Sequence, residues 1–117
     1  MRALVVNHDK YSLPGIVGER LEHHGVELVD LVVVEDLAHP VSDVAFPDPR
    51  EFDLILPMGS PWSVYDTDTI GSWIGREIDM LRAAVAHDVP VLGVCFGGQA
   101  LAAALGATVE RAPGQEI

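Results

Sequence analysis

Residues Val89 to Gly106, VPVLGVCFGGQALAAALG, constrain this chain more than any other stretch. An apolar run, Val91 to Val94, follows Pro90 and stops at the only cysteine, Cys95. Gly97, Gly98 and Gln99 come next, then an alanine-rich helical pattern that closes at Gly106. The segment predicts a strand, a sharp turn and a helix, with the thiol on the turn. Gly93 and Gly97 flank Cys95 at minus and plus two, the spacing of a nucleophile elbow, where a crowded backbone calls for residues without a Cβ. The helix after Cys95 points its N-terminal dipole and unpaired N–H groups at the sulfur, which favours thiolate. The N–H of Phe96 is placed to face an oxyanion.

The rest of the chain supplies a scaffold for such a turn. Ala3 to Val6 is a short apolar run that predicts a buried parallel strand, with Asn7, His8 and Asp9 after it. Pro14 and Gly15 open a helix whose apolar face is Leu13, Ile16, Val17, Leu21 and His24, with Gly25 as its stop. Val26 to Val34 predicts the second strand. Glu35 to Arg50 carries Pro40, Pro47 and Pro49 and predicts a loop with at most one helical turn; a short edge strand around Val44 to Phe46 is the alternative. Phe52 to Leu56 predicts the third strand, which runs into the turn cluster Pro57, Met58, Gly59, Ser60 and Pro61. Ile70, Trp73, Ile74, Ile78, Leu81 and Val85 mark one long amphipathic helix.

Strands alternating with helices predict an α/β fold. The simplest arrangement is a flavodoxin-like open parallel sheet of order 2-1-3-4 with helices on both faces. Ligands of such sheets bind beyond the carboxyl ends of the strands. Three segments meet there: His8 and Asp9, Gly59 and Ser60, and Cys95. With 117 residues the chain has room for one domain, 1–117.

Charge and composition narrow the function classes. The formal net charge of −11 argues against nucleic acid or an anionic membrane as a partner. A single cysteine excludes an internal disulfide framework and fits a reducing compartment. No stretch reaches the ~20 apolar residues of a membrane helix, and the N-terminal apolar run is too short for a signal peptide. A cytoplasmic protein is the expectation. No histidine pair has metal-ligand spacing, and no phosphate-loop pattern occurs.

The motif VLGVCFGGQ resembles the G-x-C-x-G-x-Q nucleophile motif of class I, triad-type glutamine amidotransferases. The loop PMGSPWSVYD resembles that family's Gly-Gly-Pro oxyanion loop, in a form similar to the stand-alone, GMP-synthase-like members. The resemblance implies hydrolysis of L-glutamine without a cofactor. Cys95 would attack the side-chain amide and release ammonia. The γ-glutamyl thioester left behind would then be hydrolysed to glutamate. Phe96 and either Gly59 or Ser60 would donate backbone N–H groups to the oxyanion, and Gln99 would lie near the substrate pocket. An ammonia-accepting synthase, on a separate polypeptide or an extension, is the implied partner.

Two departures from the family pattern stand out. Ser60 occupies the place of the usual second glycine. The family also carries a catalytic histidine and an acidic partner well after the nucleophile, whereas His8, His23, His24, His39 and His87 all precede Cys95. The resemblance therefore covers about the N-terminal half of the family's domain. The tail TVERAPGQEI matches the start of its next strand and hairpin, and the triad is incomplete within these residues. A positioned acid–base typically contributes roughly 10²–10⁴-fold, so these residues alone are expected to turn over glutamine poorly. His8 is the one candidate substitute base, two strands from Cys95 and about 10 Å away at the ordinary strand spacing. Two other readings remain open: a cysteine hydrolase of γ-glutamyl compounds without ammonia transfer, and a non-catalytic binding or assembly module.

Overall fold

The structure, a computed structural model, describes residues 1–11 and 14–113. Leu13, expected on the first helix, and Gly114 to Ile117 of the expected final strand lie outside the described residues. Three parallel strands form the sheet: β1 (Arg2–Asp9), β2 (Glu27–Val34) and β3 (Leu54–Pro57), in the order β2-β1-β3. Val5 lies opposite Asp30 of β2 and Leu56 of β3. The helices are α1 (Gly15–His23), α2 (Thr67–Ile70), α3 (Ile74–Ala86) and α4 (Phe96–Ala104), with one 3₁₀ turn at Pro49–Glu51. The flavodoxin-like arrangement expected from the sequence is present in this sheet.

The period-two alternation of a strand sorts the core into two layers. Leu4, Val6 and Ile55 face α3 and α4 together with Trp73, Leu81, Phe96 and Ala100. Val5 and Leu56 face the other way, with Met58, and receive Val17 and Leu21 of α1. Small residues at Ala100 and Ala104 bring α4 close against α3 and the sheet.

Five expectations are corrected. The fourth strand is reduced to one parallel bridge, Val91 beside Ile55. Even so, Leu92 N–H reaches Ile55 O at 3.0 Å and Val94 N–H reaches Pro57 O at 3.0 Å, so the segment keeps its place next to β3. Gly93 and the turn at Cys95 cut the pairing short. The single long helix is split into α2 and α3 by a turn at residues 71–73, where Trp73 leaves helical geometry at φ −135° and ψ −23°. The buried stripe of α3 is Ile74, Glu77, Leu81 and Ala84, while Val85 is 39% exposed. On α1, Ile16, in the first turn, is 76% exposed, and the helix packs through Val17 and Leu21 instead. Finally, residues 107–113 form no strand, although Val109 rests against the core.

The Cys95 turn is held by a close backbone approach. A Cβ at Gly97 would strike the carbonyl oxygen of Pro57, at the end of β3, and one at Gly93 would lie 2.6 Å from the carbonyl oxygen of Gly97. In contrast, a Cβ at Gly75 on α3 meets nothing within 4 Å. Gly97→Ala is expected to cost about 2–3 kcal/mol by overpacking. Gly75→Ala is expected to stabilise by about 0.4–1 kcal/mol through the unfolded chain. Chemical denaturation of both variants measures the two effects.

The 3₁₀ turn carries its own cap. Asp48 accepts from the Arg50 backbone N–H at 2.9 Å and from the Arg50 guanidinium at 2.8 Å. These side-chain and backbone hydrogen bonds hold the Asp48 carboxyl down to about 2 from an ordinary 3.8. A depressed folded value makes the cap complete above pH 3.8 and lost as pH falls through about 2. An NMR titration of the Arg50 amide should therefore show its midpoint near 2.

Candidate functional site

Cys95 caps the N-terminus of α4 with φ 51° and ψ −112°. A non-glycine residue in this region is strained by roughly 1–3 kcal/mol. The strain is held by the bonds around it. Gly97 N–H reaches Met58 O at 3.1 Å and Val94 O at 2.9 Å, and the Cys95 carbonyl accepts from Gly98 at 2.9 Å and Gln99 at 3.1 Å. The thiol is exposed. Strand, strained turn and helix therefore present a sulfur at the positive end of α4, as the glycine spacing predicts.

The loop after β3 comes to the same place. An ideal Cβ on Gly59 would lie 3.8 Å from the Cβ of Cys95. A cleft of about 460 Å³ over the thiol is lined by Asp9, Tyr11, Gly59, Ser60, Pro61 and Cys95. That volume suits a small polar ligand. A larger cleft, about 600 Å³ between residues 45–49 and α3, contains no nucleophile. Among the described residues, the backbone N–H groups of Gly59, Ser60 and Phe96 have no protein acceptor. Ser60 is not among the residues with positive φ, so a side chain is accommodated where the family usually has glycine. Its hydroxyl is turned onto its own loop, accepting from Trp62 N–H at 3.0 Å and donating to Trp62 O at 2.9 Å.

Gln99, one turn into α4, accepts the N–H of Val64 on its Oε1 at 3.0 Å. This bond ties the 57–66 loop to the helix that carries Cys95. Tyr65 stands on the same loop with 39% exposure, and Trp62 packs edge-on to Trp73 at 6.0 Å between ring centroids.

His8 does not face the thiol as a free base. It is fully buried, with Nδ1 3.1 Å from Gly59 O and Nε2 2.8 and 2.9 Å from the two carboxylate oxygens of Glu77. Phe96 packs edge-on to its ring at 4.6 Å, and Trp73 stacks on it at 5.6 Å. A carbonyl oxygen only accepts, so Nδ1 carries a proton and Nε2 shares one with Glu77. Among the described residues no histidine, His8 included, lines the cleft over Cys95. Glu77 went unnoticed in the sequence reading. Its signal is a carboxylate at the i, i+3, i+7 spacing of Ile74, Glu77 and Leu81, inside an otherwise apolar stripe. Among the described residues no cluster of side chains is suited to a metal ion, and no helix is long and apolar enough to cross a membrane.

The parallel sheet, the thiol on a strained strand-to-helix turn and the facing loop of N–H donors define a nucleophile-elbow α/β protein. The sequence profile described as "Glutamine amidotransferase class-I" matches residues 16–117, and the chain belongs to that family. Anthranilate synthase component 2 of Mycobacterium tuberculosis is 49% identical over 39 residues, which are 33% of this chain and 17% of that protein. The glutamine-hydrolyzing GMP synthase of Wolbachia sp. subsp. Brugia malayi is 32% identical over 76 residues, 65% of this chain and 14% of that protein. A glutamine amidotransferase from Thermotoga maritima shares the fold, with a TM-score of 0.73 at 20% identity over 92% of this chain and 44% of that one. The chain thus spans less than half the length of each of these relatives.

The Gln99–Val64 bond has a direct consequence. Gln99→Leu leaves a buried N–H unpaired and is expected to cost about 1–3 kcal/mol. Gln99→Glu keeps an acceptor and most of that stability. Amide exchange at Val64, faster in the leucine variant alone, reads the bond itself.

Proposed function

We propose that this chain carries the glutamine-attacking part of a glutaminase, with Cys95 as nucleophile. The observation that carries this reading is the strained, exposed Cys95 beside backbone N–H groups of Gly59, Ser60 and Phe96 that have no acceptor among the described residues. The thiolate adds to the side-chain amide carbon of L-glutamine. The developing oxyanion is received by Phe96 N–H from α4 and by Ser60 or Gly59 N–H from the facing loop. Collapse of the tetrahedral adduct breaks the C–N bond, and ammonia leaves after taking up a proton. Water then cleaves the γ-glutamyl thioester to glutamate. Gln99 serves the substrate pocket by holding the loop that walls it.

The acid–base step falls to a group outside these 117 residues, since both ring nitrogens of His8 are engaged. We read residues 1–117 as the nucleophile-bearing N-terminal part of one amidotransferase domain. A cleft of about 380 Å³ lined by Val85, Asp88, Val89, Pro90, Val91, Leu101 and Leu105 lies beside the segment that bridges to β3, and we read it as the face that the rest of the domain covers. The relatives named as synthases suggest that the ammonia is passed to a synthase partner. No cofactor enters these steps, and a lone thiol fits a reducing compartment such as the cytoplasm.

The test is covalent trapping in the intact protein. 6-Diazo-5-oxo-L-norleucine, a glutamine analogue whose diazo carbon is protonated and then attacked by a thiolate with loss of N₂, should modify Cys95 in a 1:1 ratio, and free L-glutamine should protect it. Cys95→Ala should reduce both labelling and ammonia release to background. Protection by γ-glutamyl peptides but not by L-glutamine would move the assignment to a γ-glutamyl hydrolase.

A further inference from the structure

We propose that the buried His8–Glu77 pair is a positioning device for the oxyanion loop. The proposal rests on the glutaminase reading and assigns two residues to it that touch neither substrate nor sulfur. Its geometry starts at the end of β1. His8 is fully buried there and donates from Nδ1 to the carbonyl oxygen of Gly59 at 3.1 Å. No peptide bond in the described residues is cis. In a trans peptide the C=O of Gly59 and the N–H of Ser60 point in opposite directions. Drawing the carbonyl inward to His8 therefore turns the Ser60 N–H outward, into the cleft that Ser60 shares with Cys95. Rotation of that one peptide would bury the donor and put a carbonyl oxygen where the oxyanion forms.

The pair is built to resist such rotation. Glu77, fully buried on α3, grips Nε2 with both carboxylate oxygens at 2.8 and 2.9 Å. This fixes the ring and keeps its Nδ1 proton aimed at Gly59. Trp73 stacks on the ring and Phe96 meets it edge-on. Phe96 also follows Cys95 and supplies the other donor, so one imidazole touches both walls of the hole. Two buried polar side chains in an otherwise apolar layer are costly unless fully paired. A purely structural role would be met by an apolar pair of the same volume.

The experiment separates the two ring nitrogens in the intact protein. Asn places its amide nitrogen where Nδ1 lies, and Gln places its own where Nε2 lies. The matched variants are His8→Asn/Glu77→Gln and His8→Gln/Glu77→Gln, both free of buried charge. Each is labelled with 6-diazo-5-oxo-L-norleucine, whose ketone oxygen enters the hole, and with iodoacetamide, which alkylates the thiol without it. The asparagine variant should keep its diazoketone rate within about threefold of the wild type. The glutamine variant should lose about 10²-fold, the scale of one oxyanion donor. Iodoacetamide rates should agree within about twofold throughout. The Gly59 carbonyl carbon shift should move in the glutamine variant alone, and Glu77→Gln by itself should retain selectivity. Equal diazoketone rates in the matched pair, or an unmoved Gly59 shift, overturn the positioning role and leave the glutaminase reading standing. A wild type whose labelling L-glutamine does not protect overturns the glutaminase reading itself, and the proposal with it.

Discussion

The carbonyl of Pro57 and the Cα of Gly97 approach so closely that no side chain fits between them. Everything at the site depends on that contact. It brings the first turn of α4 onto the end of β3, lets Gly97 N–H bond to Met58 O, and leaves Cys95 at φ 51° with nowhere to relax. The strain at Cys95 is stable because strand pairing on one side and helix hydrogen bonds on the other both hold the turn. An exposed thiol at a helix N-terminus is the result.

The second constraint is polar and lies beneath the first. The α3-facing layer is aliphatic and aromatic except for His8 and Glu77, and these two are paired to each other and to Gly59. A lone charge there would be strongly unfavourable, while a satisfied pair is tolerable and directional. Apolar packing fixes how far apart two layers sit, but it cannot choose which way a peptide plane faces. A hydrogen bond can. The aromatic box of Trp73 and Phe96 gives the imidazole its place, and the imidazole gives the 59–60 peptide its orientation.

Much of this was legible in the residues. The strand-turn-helix around Cys95, the loop at Gly59 and Ser60, and helices on both faces of a parallel sheet all follow from local pattern, because glycine spacing and apolar periodicity are local properties. The less legible features were those with non-local causes. The pattern drew the apolar face of this helix through Ile78 and Val85 and passed over Glu77; only the docking of α3 on the sheet turned Glu77 and Ala84 inward and left Val85 exposed. His8 read as a possible base because its position along β1 was visible while its partners, 51 and 69 residues away, were not. The fourth strand looked complete, yet its pairing is limited to a single bridge by the turn that follows.

The sequence by itself determined that a cysteine would sit on a glycine-flanked turn between an apolar run and a helix, and that the family's glutamine-attacking motif was present. Those properties depend on neighbours within a few residues, and backbone sterics settle them locally. Only the tertiary structure decided that the Gly59–Ser60 loop would reach Cys95, that Gln99 would hold that loop through Val64, and that His8 would be a buried partner of Glu77. Each of these joins segments 35 to 69 residues apart. Their geometry is set by how the layers pack and by which buried polar groups can find partners, which no local pattern encodes.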